Sequence, residues 1–222
     1  MTFGEKVVEY YRTLLPPSNL PAEVKVLFPF SDPWIMEYVT QFYQSFYNDN
    51  NSRTFLIGIN PGRLGGGTTG IPFTDPARLD SELNIANNLP KKAELSSRFV
   101  YEAIGACGGA REFYRKFYIT SVCPVGFTKD AKNLNYYDLR SLQEQLEPYM
   151  VAELKKQVEF GANPVAYSLG MGKNIAYLNK LNKQHGFFEA IEPLPHPRWV
   201  MQYRLKRKDE FIHLYKEKLM GT

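Results

Sequence analysis

Asn60 and His196 are the two side chains of this sequence best placed to do chemistry. Asn60 follows an apolar, β-rich run, Phe55-Leu-Ile-Gly-Ile59, and leads through Pro61-Gly62 into a long glycine-rich loop that closes on Thr69-Gly70-Ile71-Pro72-Phe73. Pro61 denies the strand another ladder donor, while Gly62, Gly65, Gly66, Gly67 and Gly70 allow positive φ and bring main-chain amides close to a ligand. Asn60 then stands at the carboxyl end of a strand, where open α/β sheets place their sites. Its amide carbonyl can aim a water, although asparagine before proline is also an ordinary turn former. His196, between Pro195 and Pro197, can donate a ring N–H to an oxygen on which charge develops; a lone histidine there is ordinarily a surface or core residue.

Gly58-Ile59-Asn60-Pro61-Gly62, with Thr69-Gly70-Ile71-Pro72-Phe73 at matching spacing, resembles the first signature of the uracil-DNA glycosylase superfamily. It most resembles the single-strand-selective monofunctional branch, which reads Gly-Met-Asn-Pro-Gly and then Thr-Gly-Val-Pro-Phe. Ser121-Val-Cys-Pro-Val125 resembles that family's Asn-x-Cys-Pro-Leu strand, Asn133-Leu134 its following Asn-Leu pair, and Leu194-Pro-His-Pro197 its histidine-proline signature. The resemblance runs in order from about residue 24 to the C-terminus.

It implies a monofunctional DNA glycosylase that hydrolyses the N-glycosidic bond of a deaminated base and so initiates base excision repair. In such a reaction the sugar approaches an oxocarbenium ion and the departing base gathers negative charge. Asn60 would then orient the water, and His196 would donate to the leaving base. Phe73 would stack on the extruded base, its alternative role being plain core. The backbone N–H of Ile59 or Gly62 would supplement His196, and Leu64 and Ser121 would complete the base pocket. Arg63, Gly66, Gly67, Thr68, Lys173, Arg198 and Trp199 are the expected DNA contacts. No lysine is placed as a Schiff-base nucleophile, so strand cleavage is not expected.

Two departures from the family pattern bear on specificity. Where the branch reads the pyrimidine edge with asparagine, this chain has Ser121, one rotatable hydroxyl in place of a donor and an acceptor side by side. A roomier pocket, admitting hypoxanthine or xanthine beside uracil, is the expected consequence. Pro197-Arg198-Trp199 stands where the family continues Pro-Ser-Pro before its DNA wedge, and either side chain is a candidate to fill the gap left by a flipped base, packing being the other role for Trp199. Arg63-Leu64 likewise replaces Pro-Phe and alters the pocket wall. Two other classes compete: a catalytically inactive binder of damaged or single-stranded nucleic acid on the same fold, and a nucleotide-binding enzyme using the loop as a phosphate cradle. Retention of both Asn60 and His196 speaks against the first, and the absence of Gly-Lys-Ser/Thr after the loop against the second.

Bulk properties agree. With 222 residues and 44% hydrophobic content, the chain can bury one sizeable core, and a single domain spanning 1–222 is expected, with 1–23 as a helical N-terminal extension. A net charge of +4 permits an anionic partner. The cations of Arg198-Trp-Val-Met-Gln-Tyr-Arg-Leu-Lys-Arg-Lys208 are either a solvated helix face or a phosphate-tracking surface. Cys107 and Cys123 read as buried thiols of a reducing compartment, too few for a four-cysteine iron-sulfur cluster, and the three histidines show no metal-ligand spacing. No cofactor or metal is expected. The charged segment Met1–Leu15 does not read as a signal peptide and no run approaches transmembrane length, so a cytoplasmic monomer acting on DNA, single- or double-stranded and away from membranes, is the expectation.

The elements that must position these residues follow from periodicity. Amphipathic spacing predicts a helix over 3–15, and Asp32-Pro33 opens a second through Phe46. Strands are predicted over 54–60, 117–123, 164–169 and 186–191, and further helices near 78–89, 96–107, 138–160, after Lys173 and over 199–219. The Gly170-Met-Gly172-Lys173 turn bares amides for a phosphate or merely allows helix packing. Alternating strands and helices imply an α/β fold: three layers, α/β/α, around a central, mainly parallel four-stranded sheet.

Overall fold

The computed structural model describes residues 1–221. In chain order its elements are α1 (Phe3–Thr13), β1 (Lys25–Leu27), α2 (Pro33–Phe46), β2 (Thr54–Gly58), α3 (Gly66–Thr69), α4 (Pro76–Ser81), α5 (Leu95–Ala106), α6 (Ala110–Lys116), β3 (Phe117–Ser121), β4 (Gly126–Lys129) and β5 (Lys132–Leu134). They continue with α7 (Arg140–Val158), β6 (Val165–Leu169), α8 (Lys173–His185), β7 (Ala190–Leu194), α9 (Pro197–Tyr203) and α10 (Lys208–Met220). The central sheet has the order β3-β2-β6-β7, every pairing parallel, with helices flanking it, as the alternating pattern predicts. Because β2 is interior, with β3 and β6 on its two edges, its carboxyl end opens between neighbouring strands. Chain leaving that end is walled on both sides.

Local sequence explains the well-predicted elements. Thr2 and Glu5 exchange bonds in a capping box at the start of α1, and Asp32 accepts from the Trp34 N–H with Pro33 in the first turn of α2. Phe3 and Val7 of α1 are buried with Val39, Phe42 and Tyr43 of α2, and Phe3 packs on Tyr47, Tyr118 and Phe160. The N-terminal helix is thus part of the core.

Four features differ from the sequence-based expectation. The fourth strand is Ala190–Leu194, not 186–191: Gly186, at φ 64°, caps α8, and Asn182 exchanges two hydrogen bonds with the Phe188 backbone, which holds 187–189 as a turn. The helix expected over 199–219 is broken into α9, a 3₁₀ turn at Leu205–Arg207 and α10, because the charged stretch 204–210 has no apolar stripe to bury. The helix near 78–89 ends at Ser81, and Asn84 takes a positive φ of 55°. A second sheet, β1-β4-β5, antiparallel throughout, went unanticipated. Its strands are three or four residues long, and the hairpin turns on Asp130-Ala131, both at positive φ, without the Asn-Gly signal such turns usually carry. No described helix is long and apolar enough to cross a membrane.

Arg53, immediately before β2, is fully buried. Its guanidinium donates to both carboxylate oxygens of Asp49 (2.7 and 2.9 Å), to the Asn51 carbonyl and through Nε to the Tyr114 carbonyl, and it lies over the rings of Phe3 and Tyr47. It therefore ties α1, α6 and the root of β2 together. Arg53→Ala strands those acceptors and empties the ring sandwich, and the unfolding free energy in urea should fall by roughly 3 kcal/mol or more; unaltered stability would show that the cluster is not a tie.

Candidate active site

β2 ends at Gly58, in register with Ser121 at the end of β3. A Cβ on Gly58 would lie 2.9 Å from the ring of Phe73, so the glycine is what lets that ring settle over the strand end. Phe73 takes a left-handed φ of 53°, a strained conformation for an aromatic residue. Thr69 holds it there: its buried hydroxyl donates to the Thr74 carbonyl (2.8 Å) and accepts from the Ile71 N–H, clamping the turn that carries Phe73. Gly70, at φ 74°, lies so close to Val39 that a Cβ would collide with it. The Thr-Gly-Ile-Pro-Phe run is thus a device for presenting one ring.

Asn60 emerges just beyond β2, and both ends of its amide are tied. Nδ2 donates to the Leu134 carbonyl (3.1 Å), and Oδ1 accepts from the Tyr136 N–H (3.0 Å). One acceptor and one donor from the same neighbouring chain fix which way the amide faces, and Oδ1 keeps a second lone pair. Tyr136 is itself anchored: its hydroxyl donates to Oδ1 of buried Asn174, whose Nδ2 donates to the Ile57 carbonyl (3.2 Å) and to Ser168 Oγ (3.1 Å). The chain that holds Asn60 is hydrogen-bonded back to the strand that delivers it.

His196 caps α9 with its Nδ1, which accepts the Arg198 N–H at 3.1 Å. The neutral ring therefore carries its proton on Nε2. Burial, followed by the nearby Arg198 cation, pushes its pKa down to about 4, so the ring is a neutral N–H donor at neutral pH. Its ring centroid is 6.0 Å from that of Phe73, and the carbonyl of Pro195 just before it accepts from Tyr215 of α10.

These groups meet in one narrow slot with about 60 Å³ of free room, lined by Ile59, Asn60, Gly62, Gly66, Phe73, Ser121, His196 and Arg198, joined by Glu94, Ser96, Asn133 and Asn135. Ser121 is 5% exposed. Leu64 and Arg63 line an adjoining recess with Glu94, Lys132 and Asn133, and the Arg63 N–H is taken by Asn133 Oδ1 (3.0 Å). Within the glycine loop, the Gly67 N–H donates to the Gly62 carbonyl and the Thr68 hydroxyl to the Arg63 carbonyl, so both donors are committed internally. Lys173 and Trp199 stand outside the slot, in a groove of about 540 Å³ with Tyr137, Met171 and Tyr203 that reaches His196 and Arg198. Lys173 lies over the Tyr137 ring, and Trp199, 39% exposed, is edge-on to Phe211 with Arg204 against its face. A larger groove, about 1130 Å³, runs along α2 and contains none of these residues.

Sequence reasoning missed Glu94, Asn135, Tyr136 and Asn174. Glu94 is a lone carboxyl in a charged loop and Asn174 a single amide in a polar helix, neither with a local signal. Asn133 sat inside a recognised pair but was not assigned to the site. Among the described residues no three His, Cys, Asp or Glu side chains gather as a metal site.

Imidazole ¹⁵N NMR should show His196 as the neutral Nε2–H tautomer from pH 8 down to about 5, gaining charge only toward pH 4. A charged ring, or a proton on Nδ1, at pH 6 would contradict the hydrogen-bond pattern.

The sequence profile of the Uracil DNA glycosylase superfamily matches residues 44–219. Among solved structures, the crystal structure of wild-type SMUG2 from Pedobacter heparinus is similar, with 42% sequence identity, a TM-score of 0.96, and coverage of 100% of this chain and 98% of that one. No curated protein matches. With its slot at the carboxyl end of the central strand and the profile match across most of its length, this chain belongs to the uracil DNA glycosylase superfamily.

Proposed function

We propose that this protein is a monofunctional DNA glycosylase that hydrolyses the N-glycosidic bond of deaminated bases, uracil and also hypoxanthine or xanthine, and thereby opens base excision repair. The observation that carries the reading is the pairing, in one slot, of an orientationally fixed neutral amide, Asn60, with a neutral N–H donor, His196. Departure of the base leaves an oxocarbenium carbon so electrophilic that its water needs aiming more than deprotonating. The free lone pair of Asn60 Oδ1 supplies the aim. His196 donates Nε2–H to the base oxygen on which charge accumulates, and because the ring starts neutral it stabilises that anion without binding other anions beforehand. Phe73 stacks on the extruded base, and Ser121 leaves width at the strand end that a longer amide would fill. Arg63, Lys173 and Arg198 would meet the phosphate backbone, and Trp199, exposed in the groove beside the slot, is the side chain that would enter the vacated stack.

Asn60→Ala should slow single-turnover base release by on the order of 10²-fold or more, and His196→Ala by roughly 10² to 10³-fold, less on a base that leaves easily. Normal turnover by Asn60→Ala would end this assignment. Ser121→Asn should raise the ratio of uracil to xanthine excision by the worth of one added edge contact, about 1 to 3 kcal/mol less repacking. If the ratio stays constant in a folded variant, Ser121 does not read the base.

A further inference from the structure

Among the described residues Glu94 is the one carboxyl lining the slot, and the glycine loop is shaped around it. A Cβ on Gly62 would lie 2.6 Å from Glu94 Oε1, and one on Gly65 would collide with Oε2. No group on the protein bonds either oxygen among the described contacts, whereas the residue's backbone N–H is anchored on Asp75 Oδ2 (2.9 Å). Asp75, fully buried, is further held by the Arg78 N–H and guanidinium. The side chain is thus placed by the loop, fixed by its main chain, and left with free hydrogen-bonding capacity facing the slot that also holds Asn60, Ser121 and His196.

We propose that Glu94 reads the extruded base as a neutral carboxylic acid, its O–H donating to a base carbonyl while its C=O accepts the adjacent ring N–H. This rests on the glycosylase reading above. Deamination leaves a carbonyl next to a ring N–H on uracil and on hypoxanthine alike, and a carboxylic acid presents the complementary donor and acceptor side by side. That is the pattern Ser121 lacks. An ionised carboxylate would instead face the base carbonyl, and the charge growing on the leaving base, with like charge. The charged groups around Glu94 are Asp75 at the N-cap of α4 and Arg78 within it, Arg198 of α9, Arg63 of the loop and Lys132 at the start of β5, with neutral His196 across the slot. Burial first, then the Asp75 carboxylate, outweigh Arg198 and Arg78 and raise the Glu94 pKa to about 7.

The test is single-turnover excision of uracil and of hypoxanthine from pH 5.5 to 8.5 by the wild type and by Glu94→Gln, which keeps a donor and an acceptor without an ionisable proton. In the wild type only the protonated form works, so hypoxanthine release should fall above pH 7, by about 30-fold at pH 8.5. Glu94→Gln should lose that fall. A wild-type profile level to pH 8.5, or the same fall in Glu94→Gln, would overturn the proposal while leaving the glycosylase reading intact. Absence of base release by the wild type at every pH would instead remove the reading on which it rests. Should Glu94→Gln fail to fold by circular dichroism, the wild-type profile decides: a fall supports the proposal and a level one overturns it.

Discussion

The slot is built around one constraint, that the Asn60 amide cannot turn; in the reaction proposed above, a neutral amide would aim a water only under that condition. Asn60 satisfies it through two main-chain bonds of opposite sense, to the Leu134 carbonyl and from the Tyr136 N–H. Those two groups belong to the exit of the small antiparallel sheet, so the hairpin β4-β5 brings residues 134–136 alongside residue 60. Its first strand abuts the same loop: a Cβ on Gly126 would strike the Pro61 carbonyl, and Leu27 of β1 packs against both Gly67 and Gly126. Asn174 closes the circuit by bonding Tyr136 on one side and the Ile57 and Gly58 carbonyls on the other. In the proposed reaction, preorganisation of this kind would present the water with no rotating dipole as the sugar becomes cationic.

Electrostatics of the slot follow from desolvation. Burial drives His196 toward its neutral form and raises the pKa of Glu94, so of the ionisable side chains lining the slot these two are shifted away from carrying charge, while Arg198 stays cationic beside them. Positive charge is kept to the rim, with Arg198 on α9, Arg63 in the loop and Lys173 at the start of α8. On the proposed reading, a polyanion would be drawn to that rim, and the interior would meet the anion that forms only during the reaction.

Backbone strain is concentrated at the same place. Phe73 is held in a left-handed conformation by Thr69, and its ring is accommodated because Gly58 has no side chain. The strain is supported from below by a well-packed core, in which Arg53 binds α1 and α6 to the root of the strand that ends at Gly58. Stability at one end of β2 permits an unfavourable conformation at the other.

Much of this was legible in the linear chain because it is local. The run from Gly58 to Phe73 carries the strand end, the glycine close to the ring, the turn and Asn60 within one segment, and Pro195-His196-Pro197 carries its donor at a helix start. The parallel sheet was legible too, since strands and helices alternate along the chain and the apolar runs 55–59 and 117–119 mark two of its strands. What the chain alone determined, then, was the kind of fold and two side chains, Asn60 and His196, that the slot brings together. Tertiary structure decided their state. The rigidity of Asn60 depends on backbone groups more than seventy residues away, the tautomer of His196 on a single amide at the start of α9, and the presence of Glu94 on a loop that only the folded glycine turn can accept. Such properties arise from long-range hydrogen bonding and desolvation, neither of which leaves a periodicity or a motif in sequence.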